Sequence, residues 1–153
     1  MYGQVEDSYR GADMQRGIEL EPLAFAKFKE MYPEATESFM FPYGEHAGAS
    51  PDGVVGKDAI LEIKCPRATK FFKIVADENI DKEYIAQMQM QMMCSNSVKA
   101  YFFNYCIIDG EEFHHLIIVE RDEDMINLIK ERLKEAISIK EKYIEKITKN
   151  HQK

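Results

Sequence analysis

Hydrophobic residues recur at two different spacings along the chain, and these spacings divide it into helices and strands. A spacing of three or four residues, which is typical of one buried helix face, predicts three helices, over residues 16–31, 82–95 and 122–150. Pro22 lies inside the first helix and is tolerated only in a first turn, so the regular helix either begins there or is kinked. At ~1.5 Å per residue the third helix would be about 42 Å long, more than a small domain needs. We therefore expect its far end to fray or to pack against another subunit.

Short runs rich in β-branched and aromatic residues lie between these helices and predict strands. Turn residues join the runs into two hairpins, one around Gly56-Lys57-Asp58 and one around Asp109-Gly110. The expected strands cover residues 37–43, 54–55, 59–64, 98–107 and 113–120. Together the elements predict an α/β fold, with a mixed, mostly antiparallel central sheet flanked by helices, in a single domain over residues 16–153. Residues 1–15 are polar, and we expect them to form a flexible arm.

The composition is that of an ordinary soluble globular domain, with 45% hydrophobic and 31% charged residues among 153. No apolar run reaches the length of a membrane span and the N-terminus lacks an apolar signal core, so we expect a cytoplasmic protein without a membrane partner. Cys65, Cys94 and Cys106 show no Cys-x-x-Cys spacing, which fits reduced thiols. The net charge of −7 argues against tight, non-specific nucleic-acid binding over the whole surface.

Three charged residues lie at or near the mouth of the first predicted hairpin. Asp52 stands in a Pro-Asp-Gly turn, where proline presets φ and glycine tolerates positive φ. Side chains alternate along a strand, so Glu62 and Lys64 share one face while Leu61 and Ile63 share the other. Two carboxylates and an ammonium are thereby expected beside an apolar strand, where an unpaired charge is costly.

A divalent cation would remove that cost for the carboxylates. Oxygen ligands of this kind suit Mg²⁺ or Mn²⁺, and a lysine beside them can orient water or neutralise charge on a phosphate. This combination is typical of metal-assisted phosphodiester hydrolysis. The residue types are common, however, and by themselves they fit a turn aspartate and a surface ion pair on an edge strand better.

Three flanking motifs decide between these interpretations. Residues 50–53 (SPDG), 61–66 (LEIKCP) and 84–89 (YIAQMQ) together resemble the PD-(D/E)xK nuclease superfamily, and more narrowly its lambda exonuclease and YqaJ-type viral recombinase branch. The resemblance covers roughly residues 16–122 and implies a restriction-endonuclease-like core. It also implies a phage exonuclease that degrades one strand of duplex DNA from the 5′ end in the host cytoplasm. Relatives form a trimeric ring around DNA and work with a single-strand annealing protein in recombination.

The resemblance also implies a set of metal ligands. Asp52 and Glu62 would bind Mg²⁺, for which Mn²⁺ can substitute, together with the backbone carbonyl of Ile63. Asp52 and Glu21 would hold a second ion. Glu21 precedes a proline in the first predicted helix, and Glu19 is the alternative ligand there.

The catalytic and DNA-binding residues complete this set. By resemblance Lys64 positions the attacking water and Gln87 assists it. Three basic residues come directly after the strand that carries Glu62 and Lys64 and are candidates for phosphate contacts: Arg67, Lys70 and Lys73. We expect the segment to begin with a basic loop over residues 65–70. A merely solvated basic segment fits them equally well.

One departure from the family pattern keeps two alternatives open. Relatives carry an arginine and a serine upstream of the first helix that bind the 5′-phosphate, and no such stretch is evident before Gly17. The first alternative is a structure- or strand-selective endonuclease of the same fold. The second is a non-catalytic DNA-binding or assembly module, against which the intact set of Asp52, Glu62 and Lys64 argues.

Overall fold

The computed structural model describes the backbone of residues 2–151 and the side chains of residues 11–150. One helix, five strands, two helices, two strands and a last helix follow one another along the described chain and confirm an α/β fold. The helices are α1 (Tyr2–Met31), α2 (Ala68–Asp77), α3 (Lys82–Ser95) and α4 (Glu123–His151). The strands are β1 (Ala35–Glu37), β2 (Phe41–Tyr43), β3 (Ala47–Ala49), β4 (Gly53–Val55), β5 (Ala59–Lys64), β6 (Lys99–Ile108) and β7 (Glu111–Glu120).

Five of these strands form the central sheet, in the order β1-β4-β5-β6-β7. Both predicted hairpins, β4–β5 and β6–β7, are present, and the pairing is antiparallel everywhere except between β5 and β6. That parallel pair needs a long crossover, which α2 and α3 supply. The mixed, mostly antiparallel sheet is therefore confirmed, and its one parallel pair lies at the catalytic strand predicted from the sequence.

Strand β5 is buried on both faces because helices cover the sheet from either side. Leu61 packs in one apolar cluster with Phe28 of α1, and Ile60 packs in a second cluster with Met88 of α3. The alternation of β5 thus directs Leu61 and Ile63 toward α1 and Glu62 toward α3. The carboxylate of Glu62 therefore lies between the sheet and α3.

Three local expectations were wrong. Residues 2–15 are not a loose arm, because they continue the helix that was expected from residue 16, and Pro22 lies within it. Glycine lowers helix propensity by only about 1 kcal/mol, which does not end a helix. The single strand expected over 37–43 is divided between β1, in the central sheet, and β2, in a separate hairpin with β3.

The third correction concerns the basic segment after β5, where a loop was expected up to Lys70. Helix α2 begins at Ala68, directly after Arg67, so Lys70 and Lys73 project from a helix. The periodicity of this segment is that of an amphipathic helix, with Phe71 and Ile74 buried.

The C-terminal helix α4 begins as expected. Oδ1 of Asp122 accepts a hydrogen bond from the backbone amide of Met125 over 3.1 Å and caps the helix. Further along, Glu141 lies 3.7 Å from His46 of the β2–β3 hairpin. None of the helices within residues 2–151 combines the length and apolar character that crossing a bilayer requires.

Candidate active site

Asp52 is held in place by two hydrogen bonds to β5. Its backbone amide donates to the carbonyl of Leu61 over 3.0 Å, and its Oδ2 accepts from the backbone amide of Ile63 over 2.7 Å. Gly53, the next residue, lies in a crowded place, because a Cβ there would be 3.0 Å from the Thr36 carbonyl oxygen. These contacts fix the carboxylate of Asp52 at the open end of the hairpin.

Glu62 presents a buried carboxylate, only 3% exposed, beside Asp52. Its Oε2 accepts a hydrogen bond from Nε2 of Gln91 over 2.9 Å, and its Oε1 lies 3.3 Å from Nζ of Lys64. Burial and then the negative charge of Asp52 raise the pKa of Glu62, although Gln91 and Lys64 partly oppose the shift. The ionised form of Glu62 is therefore held at an energetic cost.

Glu21 reaches the same place from α1. Burial, the charge of Asp52 and a side-chain hydrogen bond with Asp52 raise the pKa of Glu21, and Glu62 adds to the shift. Glu19, the alternative ligand, instead accepts a hydrogen bond from Nε2 of Gln15 over 3.0 Å on an exposed part of the helix. The helix therefore turns Glu21, and not Glu19, toward the hairpin.

The charge of Asp52 raises the pKa of both Glu62 and Glu21, so the three carboxylates are close enough to repel one another. Among the described residues, no three His, Cys, Asp or Glu side chains gather closely enough to hold one ion by themselves. Mg²⁺ usually keeps several waters and takes one or two protein carboxylates. A site with few carboxylates therefore suits Mg²⁺ better than a site in which protein groups supply every ligand. Burial first, and then the charge of Asp52, raise the pKa values of Glu21 and Glu62, and a divalent cation would stabilise both carboxylates in their ionised form.

Lys64 lies at the end of β5, between Glu62 and an aromatic ring. Its Nζ is 4.4 Å from the centroid of Tyr84 on α3 and faces the ring. Lys70 approaches the same ring at 5.4 Å and pairs with Asp81 over 2.9 Å. The hydrogen bond to Asp81 raises the pKa of Lys70, so this lysine stays charged.

Asp13 joins two arginines at the rim of the site. Its Oδ1 accepts from Nη2 of Arg16 over 2.9 Å and from Nε of Arg67 over 2.8 Å. These hydrogen bonds, led by that from Arg67, lower the pKa of Asp13. Arg16 also donates from Nε to the carbonyl of Cys65 over 3.3 Å, which ties α1 to the end of β5.

A cavity of about 400 Å³ opens beside the end of β5, and the described residues that line it do not include Asp52 or Glu62. Such a volume is within the range of small-ligand sites. Its walls include Arg16, Glu21, Lys64, Arg67, Tyr84 and Asn104. The predicted phosphate contacts Arg67, Lys70 and Lys73 line an adjoining groove of about 440 Å³, so the structure brings all three together beside the cavity.

Residues 1–98 match the YqaJ-like viral recombinase domain. The chain belongs to this family. Its fold is similar to an alkaline exonuclease (LHK-Exo) from Laribacter hongkongensis, with a TM-score of 0.79 and 34% identity over 91% of this chain and 74% of that chain. The same exonuclease in complex with dAMP gives a TM-score of 0.76 and 33% identity, over 91% and 73%.

A third structure, a phage related exonuclease from Haemophilus somnus 129PT, shares the fold at 21% identity, with a TM-score of 0.65 over 80% of this chain and 67% of that chain. No curated protein matches the sequence. The family match and the alkaline exonuclease structures confirm the YqaJ-type branch and the nuclease fold expected from the motifs.

Two polar residues of this YqaJ-like chain were not assigned to the site by sequence reasoning. Gln91 is buried against Glu62, whereas the predicted Gln87 lies one turn earlier on α3 and is exposed. The signal for Gln91 was its place on the same helix face as Tyr84 and Gln87. Asn104 was signalled only by its position as a single amide inside the apolar run of β6.

Proposed function

We propose that this chain is a Mg²⁺-dependent exonuclease that degrades one strand of duplex DNA from its 5′ end in phage-type recombination. Its family and the alkaline exonuclease structures that it resembles support a nuclease of the phage exonuclease type. The single observation that carries the proposal is the grouping of four charged residues at the β4–β5 hairpin, Glu21, Asp52, Glu62 and Lys64, of which Glu21 and Lys64 line the cavity.

The donor set suits one or two divalent cations. Asp52, Glu62 and the carbonyl of Ile63 would hold one Mg²⁺ ion, Asp52 and Glu21 would hold another, and Mn²⁺ could replace either. Bound ions of this kind activate water and stabilise the leaving oxygen of a phosphodiester. This binding requires Glu21 and Glu62 to be ionised. In the free protein, burial and mutual repulsion make that ionisation costly in free energy.

The protein's own cations then act on the substrate. Lys64 is close enough to Glu62 to orient a water molecule beside it and to neutralise charge that develops on the phosphate. Arg67, Lys70 and Lys73 would bind the DNA backbone along the adjoining groove. Asp77 and Asp81 also line this groove, so DNA contact in a protein with a net charge of −7 would be confined to these few cations.

The resemblance adds three proposals about the biological context. The protein would form a homo-oligomer with closed symmetry, and the family resemblance makes this oligomer a trimer. It would act in the host cytoplasm. A single-strand annealing protein would receive the strand that the nuclease exposes.

The deciding experiment compares three DNA substrates: linear duplexes labelled at the 5′ end, the same duplexes labelled at the 3′ end, and closed circular DNA. We expect early release of 5′-labelled mononucleotide with Mg²⁺, an intact circle, and no reaction with EDTA. Glu62→Gln serves as the control for a contaminating nuclease. Cleavage of the circle would indicate the endonuclease instead. Early release of the 3′ label would show that degradation starts at the 3′ end. Inactivity on all substrates would indicate a non-catalytic DNA-binding module.

A further inference from the structure

The amide of Asn104 stands alone inside the buried strand β6. The residue is 0% exposed, and neither its Oδ1 nor its Nδ2 has a hydrogen-bond partner among the residues that the structure describes. Buried amides are normally satisfied, because an unpaired one loses its hydration without compensation. Asn104 nevertheless occupies a position where an apolar residue would fit the surrounding run of aromatic side chains. Its polarity calls for a partner that approaches from the cavity it lines.

Sheet register identifies that partner. Asn104 pairs with Lys64 in the parallel β5–β6 ladder, so the two side chains start about 4.8 Å apart on the same face of the sheet. On the other side Asn104 pairs with His115, whose Nε2 is 2.9 Å from Oε1 of Glu78. Lys64 is therefore the neighbouring group with a long, flexible arm and a donor that can turn toward the amide. Both Lys64 and Asn104 line the catalytic cavity.

The present position of Lys64 depends on Glu62. Its Nζ lies 3.3 Å from Oε1 of that carboxylate and above the ring of Tyr84. If Glu62 held a cation, its attraction for Lys64 would weaken, because the negative charge would be shared with the cation and the two positive charges would repel. The ammonium then needs another acceptor in a partly buried place.

We propose that Asn104 is a positioning residue whose Oδ1 accepts a hydrogen bond from Nζ of Lys64 in the working state of the enzyme. This inference rests on the proposed nuclease function. The hydrogen bond holds the ammonium toward the cavity, where the scissile phosphate would lie, instead of leaving it paired with a metal ligand. It also accounts for the amide in β6, because the acceptor that is unpaired in the free protein is used when substrate and cation are bound.

Two variants separate this role from a structural one. Asn104→Leu preserves the size of the side chain but removes the acceptor, so we expect kcat to fall about 10- to 100-fold, as for other residues that orient catalytic groups. KM for duplex DNA should stay unchanged. The urea unfolding midpoint should stay unchanged or rise. Asn104→Asp keeps an oxygen acceptor facing Lys64 and should recover much of the lost kcat. Ile126→Val, a buried control on α4 that does not line the cavity, should lower the midpoint and leave kcat per folded molecule unchanged.

A double-mutant cycle tests whether Asn104 acts through Lys64. In a Lys64→Arg background, Asn104→Leu should reduce kcat by much less than in the wild type. Full kcat in folded Asn104→Leu would overturn the proposal. An equal loss of kcat in Asn104→Asp and Asn104→Leu would also overturn it, because the donor Nδ2 would then be the group that matters. If Asn104→Leu does not fold, the kcat of Asn104→Asp decides the question by itself. An inactive wild-type protein would instead refute the nuclease function, whereas an active one that requires Lys64 but not Asn104 refutes only this inference.

Discussion

The side-chain amide of Gln91 donates from Nε2 to Oε2 of Glu62 over 2.9 Å and links α3 to strand β5. This contact orients a carboxylate that is almost completely buried. It also leaves Oε1 facing Lys64, on the cavity side. A single glutamine therefore sets which oxygen of Glu62 faces the chemistry.

Replacing Gln91 tests this orientation. Gln91→Leu should weaken Mn²⁺ binding about 10- to 100-fold, because the carboxylate loses the hydrogen bond that fixes its direction. Isothermal titration calorimetry of the two proteins measures the difference. The matched control is Gln87→Ala, because Gln87 lies one turn earlier on α3 and is exposed. This variant should bind Mn²⁺ as tightly as the wild type, and the role that the family resemblance implies for Gln87 should change kcat alone. Equal metal affinity in Gln91→Leu and the wild type would contradict the orienting role.

Neutralising either central carboxylate should separate activity from stability. Asp52→Asn and Glu62→Gln should each lower cleavage by more than about 100-fold, since amides bind Mg²⁺ poorly. Both amides still offer an oxygen to the Ile63 or Gln91 donor, so the fold should persist, and the urea midpoint should rise because the carboxylates no longer repel. Cleavage assays and urea titrations on the same samples measure both effects. Wild-type activity in either variant at millimolar Mg²⁺ would remove these residues from the catalytic set.

Glu21 and Glu19 provide an internal comparison on one helix. Glu21→Gln should cut turnover about 100-fold and raise the Mg²⁺ concentration required, because its carboxylate lies against Asp52. Glu19→Gln should have no effect beyond the loss of its contact with Gln15. A Mg²⁺ titration of duplex cleavage, with DNA affinity measured in Ca²⁺, separates chemistry from binding. If both variants retain full turnover, the site operates with one ion.

Local sequence rules predicted the hairpin that carries Asp52, Glu62 and Lys64, because a Pro-Asp-Gly turn and strand alternation act over a few residues. They could not show that Gln91 and not Gln87 reaches Glu62, since both lie on one helix face and only the packing of α3 decides. Nor does any short-range pattern reveal contacts between distant segments. The bridge from Asp13 to Arg67 joins residues that are 54 positions apart, and helix formation over residues 2–15 was hidden by their polarity.

Metal binding should weaken as the pH falls toward the acid range. The pKa values of Glu21 and Glu62 are raised from 4.5, so protons compete with the cation at a higher pH than for ordinary glutamates. Without metal, the same shifts make the folded state less stable as the pH rises from 4.5 through the raised pKa values, because charging then costs more in the folded protein. The increase in Tm on adding Mn²⁺ should therefore be larger at about pH 8 than at about pH 5. Thermal scans with Glu62→Gln, which lacks one of the two groups, should show a smaller pH dependence.

Helix α4 offers the surface for the proposed oligomer. Apolar side chains are exposed along its second half: Ile139, Tyr143, Ile144 and Ile147. Light scattering should give a mass of several 17.8 kDa chains, and Ile144→Glu combined with Ile147→Glu should reduce it to that of one chain with little change in the urea midpoint. Lys146→Glu, a charge change on the same helix, should leave the mass unaltered. A mass of one chain at all concentrations for the wild type would exclude a ring.

The two hydrogen bonds that tie Asp52 to Leu61 and Ile63 close the β4–β5 hairpin at the end opposite its turn. The carboxylate of Asp52 is thus held by contacts at the end of the hairpin away from the loop that joins the strands, where Gly56 and Lys57 are exposed. Extra residues between Gly56 and Lys57 would lengthen the loop at little entropic cost. That junction is accordingly the place to attach a fluorophore or a surface tether for watching single molecules, with the catalytic end of the hairpin left undisturbed.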